Sequence, residues 1–115
     1  MMTPEAFRRL ALSLPEAQEK ETWGEATFRV RDKIFATLGP DGVDVGLKAS
    51  LEAQEALVNS SPEVFSIAHY TGRYGWVGVK LAVVDEDELR ELVIESWRKI
   101  APKKLVAAFD SGASS

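Results

Sequence analysis

The first hydrophobic pattern along the chain is that of an amphipathic helix. Four apolar residues recur at i, i+3, i+4 and i+7, the spacing of one helix face: Phe7, Leu10, Ala11 and Leu14. Thr3 followed by Pro4 is typical of a helix start, because threonine can cap a free backbone N–H and proline suits the first helical position. Pro15 predicts the end of this helix, since the residue before a proline is disfavoured in the α region.

Beyond this helix the period shortens to two, which predicts β-strands. Alternating segments cover residues 26–31, 33–38, 43–47 and 76–83. Asp32 and Lys33 suit a tight turn between the first two, and residues 39–42 form a strong turn signal. A further strand at 20–23 is more weakly indicated, and residues 64–68 fit either a loop or a short strand.

Two more helices are predicted from their caps. Ser50 suits the N-cap of a helix ending near residue 59. Asp85 with Glu88 three residues later makes a capping box for a long helix. Its apolar stripe places Trp97 in the core: Leu89, Leu92, Val93, Trp97 and Ile100. Pro102 opens a short final helix.

The order of these elements predicts an α+β fold. Strands separated by tight turns favour a mostly antiparallel sheet, and helices from the two ends of the chain would cover one of its faces in a two-layer domain. The length of 115 residues fits one domain, which we place at residues 1–110, with a mobile tail at 111–115.

Composition narrows the function classes. The chain has no cysteine, which excludes disulfides, thiolate metal sites and cysteine nucleophiles. It has no apolar run of the ~20 residues that a membrane span needs and no secretory signal at its start, so we expect a cytoplasmic protein with no membrane partner. No motif indicates a cofactor or a metal. The net charge of −4 argues against a strongly basic nucleic-acid-binding domain.

Alternation also predicts what each sheet face carries. The apolar members of two strands should face the helices: Val43, Val45, Leu47, Val77, Val79 and Leu81. The other face would then collect four basic side chains, a tryptophan and one acid: Arg29, Arg31, Lys48, Lys80, Trp76 and Asp44. Such a face is either an ordinary solvated surface or a binding surface. Trp76 favours binding, because a tryptophan among basic residues can stack on a flat ligand.

Within this face we expect one compact patch. Lys48, Trp76 and Lys80 share the same phase on strands predicted to be neighbours, which would bring their side chains together. Arg73 and Tyr74 would lie on a wing-like turn beside it. Asp44 is the acid that could neutralise the patch and make it merely structural.

No catalytic set is apparent. His69 is the only histidine, and a general base needs both an orienting partner and a nucleophile at suitable spacing, which the sequence does not show. We therefore interpret His69, beside Tyr70, as a structural residue and expect a protein that is not an enzyme, with no catalytic, cofactor-binding or metal-binding residues.

An ordered set of segments resembles the YjbR/MmcQ family of small bacterial proteins. The resemblance covers residues 3–109 and rests on Leu14-Pro15-Glu16, Trp23, Lys33-Ile34-Phe35-Ala36, Val45-Gly46-Leu47-Lys48, His69-Tyr70 and Tyr74-Gly75-Trp76-Val77. It implies a double-wing α+β fold similar to the CyaY/frataxin layout, and a DNA-binding role that was itself inferred from fold. The matching positions are Lys48, His69 and Trp76.

Two functions follow as hypotheses. In the first, the protein binds DNA weakly and in a salt-dependent manner, with phosphate contacts from the basic residues of the open face and from Arg73 and Tyr74. In the second, the same face binds a protein partner or a small anion or metabolite, and nucleic acid is not bound.

Overall fold

The structure is a computed structural model that describes residues 2–112. Its elements, in chain order, are α1 (Pro4–Leu12), β1 (Ala17–Thr22), β2 (Glu25–Val30), β3 (Lys33–Leu38), β4 (Asp44–Leu47), α2 (Leu51–Ser60), β5 (Phe65–Ile67), a 3₁₀ helix (Thr71–Tyr74), β6 (Val77–Lys80), α3 (Glu86–Ile100) and α4 (Lys103–Asp110). Three of the predicted caps are present, because Thr3, Ser50 and Asp85 each accept a backbone N–H from the first turn of their helix.

The six strands form one antiparallel sheet in the order β1-β2-β3-β4-β6-β5. Helix α3 packs across β3 and β4, while α1 packs on β1 and α3. The predicted α+β class with a helix-covered antiparallel sheet is therefore confirmed. Helix α2 contacts β5. The apolar core lies between the helical layer and one face of the sheet.

Trp97 lies at the centre of the core, as its place on the α3 stripe predicted. It is 0% exposed. Its indole Nε1 donates a hydrogen bond to the backbone oxygen of Pro15 at 3.0 Å. Its ring centroid lies 5.1 Å from that of Phe109 on α4. One side chain therefore ties α3 to the loop that follows α1 and to the last helix.

The first hairpins differ from the prediction in length and position. β1 begins at Ala17, although its sequence is polar after that residue, because a strand at the sheet edge needs no buried face and charged side chains protect it from further pairing. The β2–β3 turn falls on Arg31 and Asp32, whose φ angles are 51° and 70°. It is one residue earlier than predicted, so Arg31 has left the strand.

Val43 and Val83 were predicted to belong to alternating strands, but both lie outside the strands of the structure. Val43 precedes β4 and is exposed, since the Asp41 carboxylate accepts its N–H in a turn. Val83 is also exposed, because β6 ends at Lys80 and a turn follows in which the Lys80 carbonyl accepts the N–H groups of Val83 and Val84. Val84 is buried instead.

At the C-terminus, α4 ends at Asp110, and the last part of the predicted tail, residues 113–115, lies outside the described residues. No helix within residues 2–112 is both long and apolar enough to cross a membrane.

Candidate functional site

The sheet face away from the core has a row of small side chains running across five strands. Thr27 pairs with Thr37, Thr37 with Gly46, Gly46 with Gly78, and Gly78 with Ser66. Directly opposed residues point to the same face. The row therefore forms a continuous low floor on the face away from the core.

This floor lies in a cavity of about 820 Å³. The two glycines keep it low. A Cβ on Gly46 would lie 2.6 Å from Oγ1 of Thr37, and one on Gly78 would lie 2.8 Å from Oγ of Ser66. A larger side chain at either position would have to displace its neighbour and would project into the cavity.

The two ends of the cavity differ in chemistry. The strand ends near Glu25 and Asp44 form an acidic end, which Asp41 completes. The opposite strand ends carry an aromatic end made of Trp76, His69 and Tyr70. Because β4 and β6 each contribute about four residues between these ends, the two lie roughly 13 Å apart at 3.3 Å per residue.

The cavity lining carries no lysine or arginine among the described residues, against three carboxylates: Glu25, Asp41 and Asp44. These acids do not form a metal site, since no group of three or more His, Cys, Asp or Glu able to hold a metal ion occurs within residues 2–112. A lining with this excess of carboxylates favours a cationic or uncharged ligand over an anionic one.

The basic residues predicted for this face lie elsewhere or are engaged. Arg29 is mostly covered and donates to Oγ1 of Thr27 at 3.1 Å, to Oγ1 of Thr22 at 3.0 Å and to the carbonyl of Asp32 at 3.3 Å. It thereby braces the β1–β2–β3 side of the sheet. It does not line the cavity.

Arg31 lies on the β2–β3 turn and binds Glu16. Its Nε and NH2 groups donate to the two carboxylate oxygens at 2.6 and 3.1 Å. These hydrogen bonds lower the pKa of Glu16 and raise that of Arg31. The prediction that Arg31 lies on the open sheet face is therefore wrong, because the turn removes it from the alternation of β2.

The expected compact patch of Lys48, Trp76 and Lys80 is also not formed. The register pairs Lys80 with Asp44 at one end of the β4–β6 ladder, whereas Lys48 follows the last pair, Leu47 with Val77, at the other end. The two lysines share neighbouring strands but are separated by the ladder's length, about 13 Å. The alternation of side chains along each strand could not reveal this separation of the two lysines. It shows which face a residue lies on, whereas the register between the strands decides which residues lie opposite one another.

Lys48 instead joins the 3₁₀ helix. Its Nζ donates to the backbone oxygen of Tyr74 at 2.8 Å. The guanidinium carbon of Arg73 lies 4.9 Å from the centroid of the Tyr74 ring. Lys48, Arg73 and Tyr74 therefore form a small basic cluster outside the cavity. Of the eight predicted site residues, His69 and Trp76 line the cavity.

His69 and Tyr70 form a ring pair at one rim. Their ring centroids lie 4.2 Å apart at an interplanar angle of 61°. Trp76 is half-buried beside them rather than buried among the helices, in agreement with its predicted face. Three aromatic residues thus line this end of the cavity, which suits it to stacking on a planar ligand.

Sequence reasoning missed three residues of the site. Gln54 on α2 is buried, and its Nε2 donates to the carbonyls of Gly72 and Trp76 at 2.7 and 2.8 Å. It thus holds the aromatic end in place. Trp23 lines the acidic end and is 99% exposed, and Tyr70 was noted only as a neighbour of His69. Gly24 is a turn residue that could have marked its neighbour Trp23 as a rim residue.

Comparisons with known proteins agree with this fold. A family model described as YjbR matches residues 12–99. An uncharacterized protein of Mycobacterium bovis and two uncharacterized proteins of Mycobacterium tuberculosis are each 42% identical over 72 residues, which is 61% of this chain. The match spans 55% of the length of these relatives.

One solved structure is similar over most of the chain. It is the crystal structure of a Deinococcus radiodurans protein with the domain family DUF419, with a TM-score of 0.81 and 23% identity. The match covers 90% of this chain and 82% of that one. It establishes a shared fold.

Proposed function

We propose that the chain, which belongs to the YjbR family, is a non-catalytic binding protein for a planar aromatic molecule that is uncharged or positively charged. The observation that carries the proposal is the continuous floor of small side chains, Thr27 to Ser66, with the half-buried Trp76 beside its middle, since a Cβ on Gly46 would lie 3.8 Å from Cε3 of the indole. A flat molecule could lie over the floor with its ring against Trp76.

The size and shape of the cavity support a small molecule. At about 820 Å³ the cavity falls within the ~300–1,000 Å³ common for ligand pockets. Hydroxyl groups of Thr37 and Ser66 in the floor can form hydrogen bonds with polar edges of such a ring. Aromatic stacking is worth about 1–3 kcal/mol per ring, so Trp76 would supply a large part of the affinity.

The charge of the lining selects among planar ligands. Glu25, Asp41 and Asp44 would repel a carboxylate or phosphate and attract an amine. The proposal of a small-anion site on this face is therefore given up in favour of a neutral or cationic ligand.

A non-catalytic role is favoured by the surroundings of His69. The aromatic ring found against it is that of Tyr70, and within residues 2–112 no ion pair with a carboxylate orients its imidazole. A histidine acting as a general base is normally oriented by such a group. We therefore assign His69 to ring stacking at the rim.

Two planar three-ring fluorophores test this proposal. Proflavine is a cation at neutral pH, and anthracene-2-sulfonate is an anion of similar size. We expect proflavine to bind nucleic-acid-free protein, with a polarization increase on titration, and the sulfonate to bind at least tenfold more weakly. Trp76→Leu should weaken proflavine binding about tenfold or more. Tyr74→Leu is the matched control, because Tyr74 is an exposed aromatic outside the cavity.

The proposal fails if proflavine does not bind the wild-type protein, or if Trp76→Leu and Tyr74→Leu bind it equally well. Far-UV circular dichroism of both variants establishes that each is folded. A stronger binding of the sulfonate than of proflavine would overturn the assigned ligand charge.

Duplex DNA is the second candidate, and the cluster of Lys48, Arg73 and Tyr74 is the observation that favours it. Two cations beside an exposed aromatic ring can contact phosphates. Titration of a labelled duplex should then show binding at low salt that weakens steeply as salt rises, and Lys48→Ala with Arg73→Ala should remove it. Binding that is absent at low salt, or unchanged in the double variant, would exclude this surface.

A further inference from the structure

The floor of the cavity carries three hydroxyl groups, and the structure leaves two of them available to a ligand. The Thr27 hydroxyl donates to the carbonyl of Lys20 at 2.6 Å and accepts from Nε of Arg29 at 3.1 Å, so it is already engaged. Thr37 and Ser66 also line the cavity, and neither hydroxyl has a hydrogen-bond partner within the part of the chain that the structure describes. A hydroxyl can both donate and accept, so these two can pair with either kind of polar group.

These two free hydroxyls approach a pair of glycines from opposite sides. Gly46 and Gly78 are directly opposed on β4 and β6, with Thr37 beside them on β3 and Ser66 beside them on β5. Oγ1 of Thr37 lies 2.6 Å from where a Cβ on Gly46 would be, whereas the Thr37 Cβ lies 3.9 Å from that point. Oγ of Ser66 lies 2.8 Å from the equivalent point at Gly78. Since opposed Cβ positions are about 4.5–5.5 Å apart, the two hydroxyl oxygens lie within about 11 Å of each other.

The glycine pair itself indicates close approach by a ligand. Glycine weakens a strand interior, because it has no side chain to pack and loses more conformational freedom on folding than other residues. Gly46 and Gly78 nevertheless lie opposite each other on two strands inside the sheet, where they leave bare backbone between the two hydroxyls. Glycine in a strand often marks a point where a ligand comes near the backbone. Thr37 and Ser66 therefore flank the place where a flat ligand can lie lowest.

We infer that Thr37 and Ser66 determine specificity by forming hydrogen bonds with two opposite edges of the bound molecule. The inference rests on the proposed function and adds a chemical class to it: the ligand is a planar heterocycle with amino or oxo groups on opposite edges. A molecule with hydrocarbon edges would take water away from both hydroxyls without replacing its hydrogen bonds, and a site built in this way discriminates against such a molecule.

Two dyes of equal charge and ring number separate edge recognition from stacking. Proflavine carries an amino group on each outer ring, whereas N-methylacridinium is a three-ring cation without amino groups. The wild-type protein should bind proflavine at least about threefold more tightly. Thr37→Val and Ser66→Ala should each weaken proflavine binding about three- to tenfold, the effect of one lost hydrogen bond, and change N-methylacridinium binding by less than about twofold.

Two further variants serve as controls in the same titrations. Thr37→Ser keeps the hydroxyl and loses only a methyl group, so it should retain most of the affinity for proflavine that Thr37→Val loses. Ser60→Ala removes an exposed hydroxyl outside the cavity and should change the binding of neither dye. Far-UV circular dichroism establishes that every variant is folded.

The results distinguish this inference from the proposed function. Equal binding of the two dyes by the wild-type protein, or an equal loss of both dyes in Thr37→Val and Ser66→Ala, overturns the inference, because the hydroxyls then recognise no polar edge. Unchanged proflavine binding in either variant also overturns it. The proposed function stands in these cases if Trp76→Leu still weakens proflavine binding. If proflavine does not bind the wild-type protein, both proposals fail.

Discussion

Replacing Trp97 by alanine should remove the largest single contribution to the core. Its side chain is fully buried, and truncating such an aromatic residue costs about 3–5 kcal/mol through lost contacts and the cavity left behind. The substitution also leaves the Pro15 carbonyl without its indole donor, which adds about 1 kcal/mol if water does not reach it. We therefore expect a loss of about 4–6 kcal/mol, against a total of about 5–15 kcal/mol for a typical domain.

The measurement is urea unfolding followed by far-UV circular dichroism, because removing a tryptophan changes the fluorescence signal itself. Trp97→Phe keeps a ring in the core and loses the hydrogen bond to Pro15, so it should cost about 1–3 kcal/mol. Trp76→Ala, at a half-buried position on the other sheet face, should cost clearly less than Trp97→Ala. A loss below about 2 kcal/mol for Trp97→Ala, or equal losses for the two alanine variants, would refute this account of the core.

Three further substitutions test other parts of the structure. Gln54→Leu removes the donor from two carbonyls at the aromatic end, so it should lower the unfolding free energy by about 2 kcal/mol in urea and weaken proflavine binding in the same titration. Gly46→Val fills the cavity floor and should weaken proflavine binding about tenfold, at a cost of about 1–3 kcal/mol measured by urea unfolding; unchanged binding would contradict the position of the floor. The hydrogen bonds from Arg31 lower the pKa of the Glu16 carboxyl below its usual value of 4.5. The Arg31–Glu16 pair therefore stabilises the fold fully at pH values above the pKa that Glu16 has in the unfolded chain. This stabilisation is lost as the pH falls through the lower pKa that Glu16 has in the folded protein. The difference in melting temperature between the wild type and Glu16→Gln should therefore narrow below about pH 4.5, and a constant difference would contradict the pairing.

Periodicity predicted the elements whose apolar residues face the core. The stripes of α1 and α3 and the alternation of β4 and β6 are confirmed, because burial of one face imposes these periods. β1 was largely missed for the same reason, since a polar edge strand has no buried face to impose alternation. Val83 shows the opposite error, in which a strand is predicted to be longer than it is. Val83 continues the alternation of Val77 and Val79, but β6 has already ended at Lys80.

The site was less predictable because it depends on register. Trp76 was correctly assigned to the open face from its phase against Val77 and Val79. Which residues of other strands lie opposite one another depends on turn positions, however, and a one-residue error at Arg31 was enough to misplace a side chain. Gln54 had no sequence signal, since its partners are backbone carbonyls more than fifteen positions away.

The row of opposed residues on the sheet floor restricts how this cavity can change during evolution or engineering. Each of five strands contributes one position to the row, and inserting or deleting a single residue within a strand exchanges its two faces. An insertion in β4 before Gly46, for example, would turn a core residue such as Val45 toward the ligand and a polar one toward the helices. New specificities can therefore arise here by point substitution or by changes in the rim turns, but length changes within the five floor strands would destroy the cavity and the core together.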